Sequence, residues 1–247
     1  MINSRLTHIL ETRNLLYKHQ YAFRKGKSTV DYLIQLEKVL LEALNKKNYA
    51  QAVFLDIAKA YDTTWRRLVL NKLGTWNIGG RMLRFIAKSL EKRSFKVATN
   101  GVQSDEQEMK TGLCQGSVLS VTLFLIAINT IVDRLAQGVH CFIYADDVAL
   151  IAEGGSHAEV EAKLQSALNA ISQWQKETGF KISAEKSSTM IFKRTTARKI
   201  QLSKLVLEGE SIALNKTHKC LGVTIDQRLL LHKHVELANS GFSSFAT

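Results

Sequence analysis

The sequence predicts an α+β fold in which an antiparallel sheet carries helices on one face. Short apolar segments, two of which run directly into acids, are typical of buried strands, and longer segments with helical spacing lie between them. Strong turn signals join neighbouring strands into hairpins. A chain of 247 residues that is 45% hydrophobic is long enough to bury a full core around such a sheet.

The first part of the chain is predicted to hold helices around one buried strand. This strand covers residues 51–55 and ends at Asp56. A polar, basic loop is expected from Tyr21 to Thr29. Helices are predicted over residues 1–18, 33–44, 64–76 and 80–92.

The second part is predicted to contain two hairpins and two long helices. Hairpins are predicted over residues 94–109 and 142–151, turning at Asn100-Gly101 and at Asp146-Asp147. Helices are predicted over residues 118–136, which are apolar on nearly every side, and 156–179, which open with a capping box. Short strands are predicted over residues 188–193, 204–207 and 220–225, before a helix-like tail.

The net charge indicates which kind of molecule the protein is expected to bind. Lys and Arg number 34 against 22 Asp and Glu, which gives a formal charge of +12. Such a surface attracts polyanions, so nucleic acid is one expected partner. A basic soluble protein that contacts no nucleic acid is equally compatible with the composition.

Cysteine usage and hydropathy indicate in which cellular compartment the protein is expected. Three scattered cysteines, Cys114, Cys141 and Cys220, fit reduced thiols and match no disulfide framework or zinc spacing. The N-terminal residues lack the apolar core of a signal peptide. The most apolar stretch, residues 118–132, is shorter than the ~20 residues of a membrane span. We therefore expect an intracellular protein, cytoplasmic or nuclear and not secreted, with no membrane partner.

Three acids at strand ends form the main chemical candidate. Pairing the strand before Asp56 with the hairpin of Asp146 and Asp147 would gather three carboxylates. Like charges at that distance oppose one another's ionisation unless cations are bound, and two divalent ions ~3.5–4 Å apart serve in-line phosphoryl transfer. Taken alone, Asp-Asp is more often a simple turn dipeptide.

The sequence around these acids resembles reverse transcriptases. Three segments match core motifs of that family in order and spacing: Phe54–Thr63, Gly112–Ser120 and Tyr144–Asp147. Further segments are similar to the polymerase of non-LTR (LINE-like) retrotransposons of the jockey type: Gln20–Asp31, Gln115–Ser120, Gly179–Ser187 and Cys220–Asp226. The resemblance covers nearly the whole chain.

The resemblance implies a right-hand polymerase palm with partial fingers and the start of a thumb. Residues 1–200 would be the palm, with part of the fingers in about residues 1–50. Residues 201–247 would be the end of the palm and the start of a truncated thumb, so that the chain is a central palm fragment. The implied activity is RNA-directed DNA polymerisation with an RNA template, a DNA primer and dNTPs. The alternative is a polymerase-derived fragment that binds nucleic acid with weak or no catalysis. The oligomeric state is left open.

The resemblance also implies catalytic roles. Asp56 and Asp146 would hold two Mg²⁺ ions, for which Mn²⁺ could substitute, and Asp147 would complete the cluster. Lys186 matches a catalytic lysine near the departing pyrophosphate, although a lysine in a polar segment is usually just solvated. Arg24, Lys25 and Lys27 would contact the nucleic-acid backbone. A solvated charged turn is the alternative for these three cations. 

The resemblance also implies that four residues bind the nucleotide: Tyr61, Gln115, Gly116 and Tyr144. Tyr61 matches the aromatic residue that leaves no space for a 2′-hydroxyl, although helical periodicity alone would make it a core tyrosine. An RNA-templated RNA polymerase would usually carry an acid there, so Tyr61 disfavours that class. Cys114 stands where the family usually has proline. Without the fixed φ of proline, the loop that places Gln115 would be looser.

Overall fold

The computed structural model describes residues 1–193 and 204–230. The helices are α1 (Ile2–Thr12), α2 (Thr29–Asn45), α3 (Ala60–Thr63), α4 (Arg66–Thr75), α5 (Gly80–Leu90), α6 (Val118–Ile128) and α7 (His157–Thr178). The strands are β1 (Tyr49–Ile57), β2 (Ser94–Phe95), β3 (Ala98–Thr99), β4 (Val102–Gln103), β5 (Gln107–Glu108), β6 (Val139–Tyr144), β7 (Asp147–Gly154), β8 (Ile182–Phe192), β9 (Val206–Leu207), β10 (Glu210–Ser211), β11 (Ala213–Leu214), β12 (Thr217–Cys220) and β13 (Val223–Asp226). The predicted helix-like tail lies outside the described residues.

The chain divides into two compact units that interleave along the sequence. The first unit consists of residues 1–18, 57–133 and 174–181. The second consists of residues 19–56, 134–173 and the described part of 182–247. The first unit is mainly helical, whereas the second contains the principal sheet, so the predicted α+β class is confirmed.

The principal sheet has five strands in the order β11-β8-β1-β7-β6. The strand β1 pairs antiparallel with β7, and β7 pairs antiparallel with β6, while β11 runs parallel to β8. Side chains of β1 are buried on both faces, which explains why most of its residues are apolar and do not alternate with polar ones. On the face that holds Ala50, Ala52 and Phe54, the helix α2 and the hairpin β12–β13 cover the sheet.

The helix α2 begins at a capping box that the sequence analysis did not identify. The Ser28 hydroxyl accepts a hydrogen bond from the Asp31 N–H at 3.2 Å, and an Asp31 carboxylate oxygen accepts from the Ser28 N–H at 2.8 Å. Such a cap stabilises a helix start by about 1 kcal/mol. Buried Tyr32, Leu36 and Leu40 then face the sheet, and burial of each leucine stabilises the fold by about 1.5–3 kcal/mol. The capped start therefore fixes where the basic loop ends.

The helix α6 is the buried helix that its apolar sequence predicts, but it is shorter. It ends at Ile128 and continues as a 3₁₀ segment, Asn129–Arg134, instead of as α-helix to Ala136. The Thr130 hydroxyl donates to the Ala127 carbonyl at 2.7 Å, and this side-chain bond competes with the helical backbone pattern. Among the described helices, none has both the length and the apolar character needed to cross a membrane.

One predicted hairpin turn was confirmed, and one predicted strand was wrong. Asn100 and Gly101 both have positive φ, as the predicted tight turn requires, and Thr99 faces Val102 across it. Residues 220–225, predicted as one strand, instead contain a turn at Leu221-Gly222 between β12 and β13. An apolar leucine at positive φ concealed this turn, because that conformation usually calls for Asn, Asp or Gly.

Candidate functional site

The three predicted acids lie at one end of the sheet in the second unit. Asp56, near the end of β1, is the register partner of Asp147, the first residue of β7. Tyr144 and Asp147 pair across the β6–β7 hairpin, so Ala145 and Asp146 form a two-residue turn. Backbone pairing therefore places Asp56 and Asp147 directly opposite each other and Asp146 beside them at the tip.

The ionisation of Asp147 is affected by its surroundings. The pKa of Asp147 is raised, first by burial and then by the negative charges of Asp146 and Asp56. A carboxylate in this position gains stability from any cation that binds nearby, because a cation offsets both the repulsion and the lost hydration. A bound cation would therefore be favoured electrostatically at this edge of the sheet.

A cavity of about 200 Å³ opens beside the acids. Its polar lining includes Asp56, Asp147, Lys186 and His218, and its apolar lining comes from β1, β7, α2 and β12. Asp146 does not line it. The volume is below the ~300–1,000 Å³ of typical small-molecule pockets, so the cavity suits phosphate groups and ions better than a whole nucleotide.

The residues present fit divalent cations through the chemistry of their donors. Among the described residues, no three His, Cys, Asp or Glu side chains already lie in a closed, metal-ready cluster. Mg²⁺ is usually bound through one or two carboxylates together with waters and substrate phosphates, so a ready-made protein cage is not required. Asp56, Asp146 and Asp147 provide the oxygen donors that such an ion prefers.

The residue Ser187 holds Asp56 in place and was not recognised from the sequence. Its buried hydroxyl accepts a hydrogen bond from the Asp56 N–H at 3.1 Å and donates to the Ser183 carbonyl at 2.6 Å. Lys186, the neighbouring residue on β8, is exposed and lines the same cavity. One short segment of β8 therefore supplies both a support for the acid and a cation.

The second residue that sequence reasoning missed is His218 on β12. Its ring stacks on Phe54 at 3.8 Å between centroids and 10° between planes, and Nδ1 lies 3.0 Å from the Ser188 hydroxyl. Burial lowers the pKa of His218 to about 4, so the ring is neutral at pH 7. A single histidine in a short strand gives no sequence signal of this contact, which joins residues far apart in the chain.

The basic loop is attached to the sheet that carries the acids. Backbone bonds from Tyr21 N–H to the Ile143 carbonyl and from Ile143 N–H to the His19 carbonyl, both 2.9 Å, pair the start of the loop with β6. The Arg24 guanidinium donates to the Gln20 carbonyl at 3.2 Å. The side chains of Lys27 and Lys25 have different surroundings. The Lys27 amine lies 4.8 Å from the centre of the Tyr21 ring, and Lys25 is exposed.

Tyr144 is half-buried and packs in the same unit. Its ring meets the Tyr32 ring edge-on at 6.2 Å, next to the core beneath α2. It directly precedes the turn that carries Asp146. This packing holds the end of β6, and a contact with nucleotide stays a prediction.

In the first unit, the predicted nucleotide loop is bound to the segment that contains Tyr61. The Leu113 N–H donates to the Tyr61 carbonyl at 2.8 Å, and the Gly112 N–H donates to the Thr64 carbonyl at 3.0 Å. A Cβ on Gly112, where φ is +81°, would lie 2.7 Å from the Asp62 carbonyl oxygen. Only glycine fits this approach. The Tyr61 ring is half-buried and stacks on Phe124 at 4.7 Å.

The predicted nucleotide-binding residues Gln115 and Gly116 are exposed at the tip of this loop. The Gln115 amide donates to an Asp62 carboxylate oxygen at 3.3 Å, and Gly116 adopts φ +85° with open space around its Cα. At Cys114, where the family usually has proline, the thiol sulfur accepts from the Arg93 guanidinium at 2.7 Å. This contact restrains the loop in place of a fixed proline φ.

Arg66, which was not recognised from the sequence, holds the base of the loop in place. The Arg66 guanidinium donates to the carbonyls of Gly112, Leu90 and Met109 at 2.9, 2.7 and 2.6 Å. Burial lowers the pKa of Arg66. One side chain thus joins the end of α5, the end of the exposed hairpin and the start of the loop.

Solved structures with the same architecture define the class of fold. Telomerase from Candida tropicalis aligns with a TM-score of 0.62 at 14% identity, covering 92% of this chain and 39% of that one. Telomerase from Candida albicans, in complex with a fragment of telomeric RNA, aligns with a TM-score of 0.56 at 12% identity. The fold is therefore that of a polymerase palm, as predicted.

The family follows from sequence. The profile described as reverse transcriptase (RNA-dependent DNA polymerase) matches residues 1–225, and the chain belongs to this family. The RNA-directed DNA polymerase from mobile element jockey of Drosophila melanogaster is 30% identical over 98% of this chain and 27% of its own length. The probable RNA-directed DNA polymerase from transposon BS of the same species is 29% identical over 96% of this chain and 26% of its own length. The chain thus spans about a quarter of the length of these relatives, and the predicted likeness to jockey-type non-LTR elements is confirmed.

Proposed function

We propose that this chain is the RNA-directed DNA polymerase domain of a non-LTR retrotransposon, which adds dNTPs to the 3′ end of a DNA primer on an RNA template. The observation that carries the proposal is the register of β1 and β7, with Asp56 opposite Asp147 and Asp146 in the adjoining turn. Membership of the reverse transcriptase family supports the same activity. We assign residues 1–200 to the palm, with part of the fingers in about residues 1–50, and residues 201–247, of which 204–230 are described, to its end and the start of the thumb. The domain acts inside the cell, in the nucleus or cytoplasm.

In the proposed site, Asp56, Asp146 and Asp147 would hold two Mg²⁺ ions, for which Mn²⁺ could substitute. Bound divalent ions stabilise the attacking and leaving oxygens of an in-line displacement. The Ser187 hydroxyl holds the backbone of Asp56 at the end of β1 and so helps to position this residue in the site. A cation bound at this site would counteract the burial and the neighbouring charges that raise the pKa of Asp147.

Lys186 brings a positive charge to the cavity beside Asp56 and Asp147. A lysine ammonium there stabilises negative charge on the departing pyrophosphate. The neutral His218 ring adds bulk and a polar edge to the same cavity without adding charge. Two lysines, Lys186 and Lys219, line the pocket, and we assign the role beside the pyrophosphate to Lys186 because it matches the family's lysine.

Nucleotide contacts are proposed for Tyr61, Gln115, Gly116 and Tyr144. The exposed Gly116 has no side chain, so its backbone can approach a ligand closely. The Tyr61 ring is held rigidly against Phe124, and a rigid ring can reject an added 2′-hydroxyl by direct clash. Arg24, Lys25 and Lys27 contribute to binding of the template backbone, with exposed Lys25 best placed for a phosphate contact.

Primer extension on an RNA template with Mg²⁺ tests the proposal. Wild-type protein is expected to extend the primer with dNTPs, and Asp146→Asn is expected to abolish extension at equal folded protein. Asp105→Asn removes an equally exposed acid from the hairpin of the first unit and serves as the charge-matched control. Full activity in Asp146→Asn would refute the metal assignment.

The second candidate is a polymerase-derived fragment that binds nucleic acid without catalysis. The formal charge of +12 favours binding whether or not the acids are catalytic. If the wild type binds primer–template tightly but extends nothing with Mg²⁺ or Mn²⁺, this second function replaces the first.

A further inference from the structure

One face of α5, in the first unit, has the features of a nucleic-acid surface separate from the residues assigned above. Arg81, Arg84, Phe85 and Lys88 follow the spacing i, i+3, i+4, i+7, which brings them onto one side of a helix. Ile86 and Leu90, on the opposite side, are buried. The helix therefore has its apolar side in the core and a basic side outward.

The charge of this face is not compensated. The eleven residues of α5 contain three cations and no acid. Within the part of the chain that the structure describes, Arg81, Arg84 and Lys88 form no ion pair, in contrast to Lys72, which meets Asp133 at 2.6 Å. The face thus carries a local positive potential that a polyanion would neutralise.

An aromatic ring lies within this basic face. Phe85 is 49% exposed, although Phe is among the residue types most often buried. It stands between Arg81 and Lys88 on the same side of the helix, one residue from Arg84. Cations that follow a strand, together with an exposed ring, are the combination that binds single-stranded nucleic acid through phosphates and base stacking.

The spacing of the cations fits one strand. Arg81 and Lys88 are seven residues apart, so they span about 10 Å along the helix at 1.5 Å per residue. Neighbouring phosphates of one strand of a helical nucleic acid are about 3.4 Å apart along the axis. A span of 10 Å covers about three such intervals, so each of the three cations can contact a different phosphate within a run of about four.

We propose that the α5 face, defined as Arg81, Arg84, Phe85 and Lys88, is a binding surface for single-stranded nucleic acid that contacts about three phosphates and stacks one base on Phe85. This surface goes beyond the proposed polymerase activity, because it needs neither metal nor nucleotide. It holds a strand without taking part in the chemistry.

The test is a salt titration of binding to a single-stranded RNA oligonucleotide in EDTA, with no dNTP present and in the Asp146→Asn background. The triple variant Arg81→Gln, Arg84→Gln, Lys88→Gln should reduce the slope of log K against log salt by about 2, which is about 0.7 for each of three contacts. Gln keeps the helix propensity, so the fold should persist. Circular dichroism checks this.

A second triple variant controls for net charge. Arg5→Gln, Arg13→Gln and Lys176→Gln remove three exposed cations of the same unit that do not share one helix face. This control should change the slope by less than one contact. Equal slopes for the two triple variants would overturn the proposal, because the effect would then be one of total charge.

The variant Phe85→Ala tests stacking. It should weaken oligonucleotide binding about five- to a hundredfold with an unchanged salt slope, whereas Phe85→Trp should retain binding. Undiminished binding in Phe85→Ala would overturn the stacking contact.

Vesicles of phosphatidylserine and phosphatidylcholine test whether the α5 face binds a membrane instead of nucleic acid. If the triple variant loses vesicle binding but keeps its oligonucleotide slope, the α5 face is a membrane surface and the proposal fails.

Discussion

The acidic edge of the sheet and the Gly112–Ser117 loop hold their functional candidates by different means. At the sheet edge, a regular ladder of backbone bonds sets Asp56 against Asp147, and side chains only refine the placement. The loop has no such ladder. Its position depends on individual bonds to Tyr61 and Thr64 and on the Arg66 guanidinium.

This difference determines how each region responds to mutation. A ladder distributes its stability over many bonds, so one altered side chain changes it little. A loop held by a few specific contacts fails when one of them is lost. Four variants can break or sharpen the comparison.

The largest effect is expected for Gly112→Ala. The added methyl would meet the Asp62 carbonyl oxygen at 2.7 Å in a backbone with φ +81°, so we expect a loss of about 3–4 kcal/mol in the free energy of unfolding. Gly116→Ala is the matched control, because φ is +85° there but space is open, and it should cost only about 1 kcal/mol. Urea denaturation measures both. Equal losses would mean that the loop is not held against Asp62.

The next effect concerns sugar selection by Tyr61. Removing the ring in Tyr61→Ala should raise kcat/KM for ribonucleotides relative to deoxyribonucleotides by about a hundredfold, because exclusion of the 2′-hydroxyl is steric. Tyr61→Phe keeps the ring against Phe124 and should retain selectivity. Single-nucleotide incorporation gives the ratio. An unchanged ratio in Tyr61→Ala would make this residue only a packing partner of Phe124.

A smaller effect is expected at the sheet edge for Ser187→Ala. Losing the hydroxyl leaves the Asp56 N–H without its acceptor, so kcat should fall about tenfold and the free energy of unfolding by about 1–2 kcal/mol. Ser188→Ala loses the contact to His218 but keeps the Asp56 bond, and it serves as the control. The Mg²⁺ dependence of kcat separates the two roles. A positioning defect raises the Mg²⁺ concentration for half-maximal rate, whereas a purely structural defect lowers the amount of folded protein alone.

The smallest effect is a pH dependence from His218. Its pKa is lowered from 6.5 to about 4 in the folded protein, so the unfolded chain binds more protons between these values. The contribution of His218 to stability is therefore complete above about pH 6.5 and is lost as the pH falls toward 4. Asp147, whose pKa is raised, acts with the opposite sign, so the difference between wild type and variant is the useful quantity.

The variant His218→Phe isolates this dependence. It keeps a flat ring on Phe54 but cannot take up a proton. Thermal unfolding from pH 4 to 7.5 should show the wild type losing stability relative to the variant as the pH falls. A difference in Tm that stays constant over the range would show that His218 does not become protonated on unfolding.

Sequence patterns predicted features that depend on neighbouring residues. The Asn100-Gly101 turn and the buried α6 were recognised because a dipeptide and an apolar run are local signals. The convergence of Asp56 with the Asp146-Asp147 hairpin was recognised because acids at strand ends stand out from apolar flanks. Local chemistry thus accounts for most of the fold and for the acids.

Features that depend on distant partners were not predictable. Ser187 supports Asp56 from 131 positions away, and His218 reaches Phe54 from another sheet, so no spacing in the sequence reveals either contact. The Leu221-Gly222 turn was missed because leucine rarely adopts positive φ. Tertiary packing, and not local preference, decides these positions.

The two-residue turn between β6 and β7 has a consequence for changes in chain length. Only Ala145 and Asp146 connect the two strands, and Ala145 adopts φ +56° to close the turn. The turn is therefore as short as a hairpin of this kind allows. Because side chains alternate along a strand, an extra residue that shifted the pairing by one position would turn Asp147 toward the opposite face and away from Asp56. The length of the hairpin therefore determines which face of the sheet Asp147 occupies. Coding changes that preserve its length can be accommodated here far more readily than the insertion or deletion of a single codon.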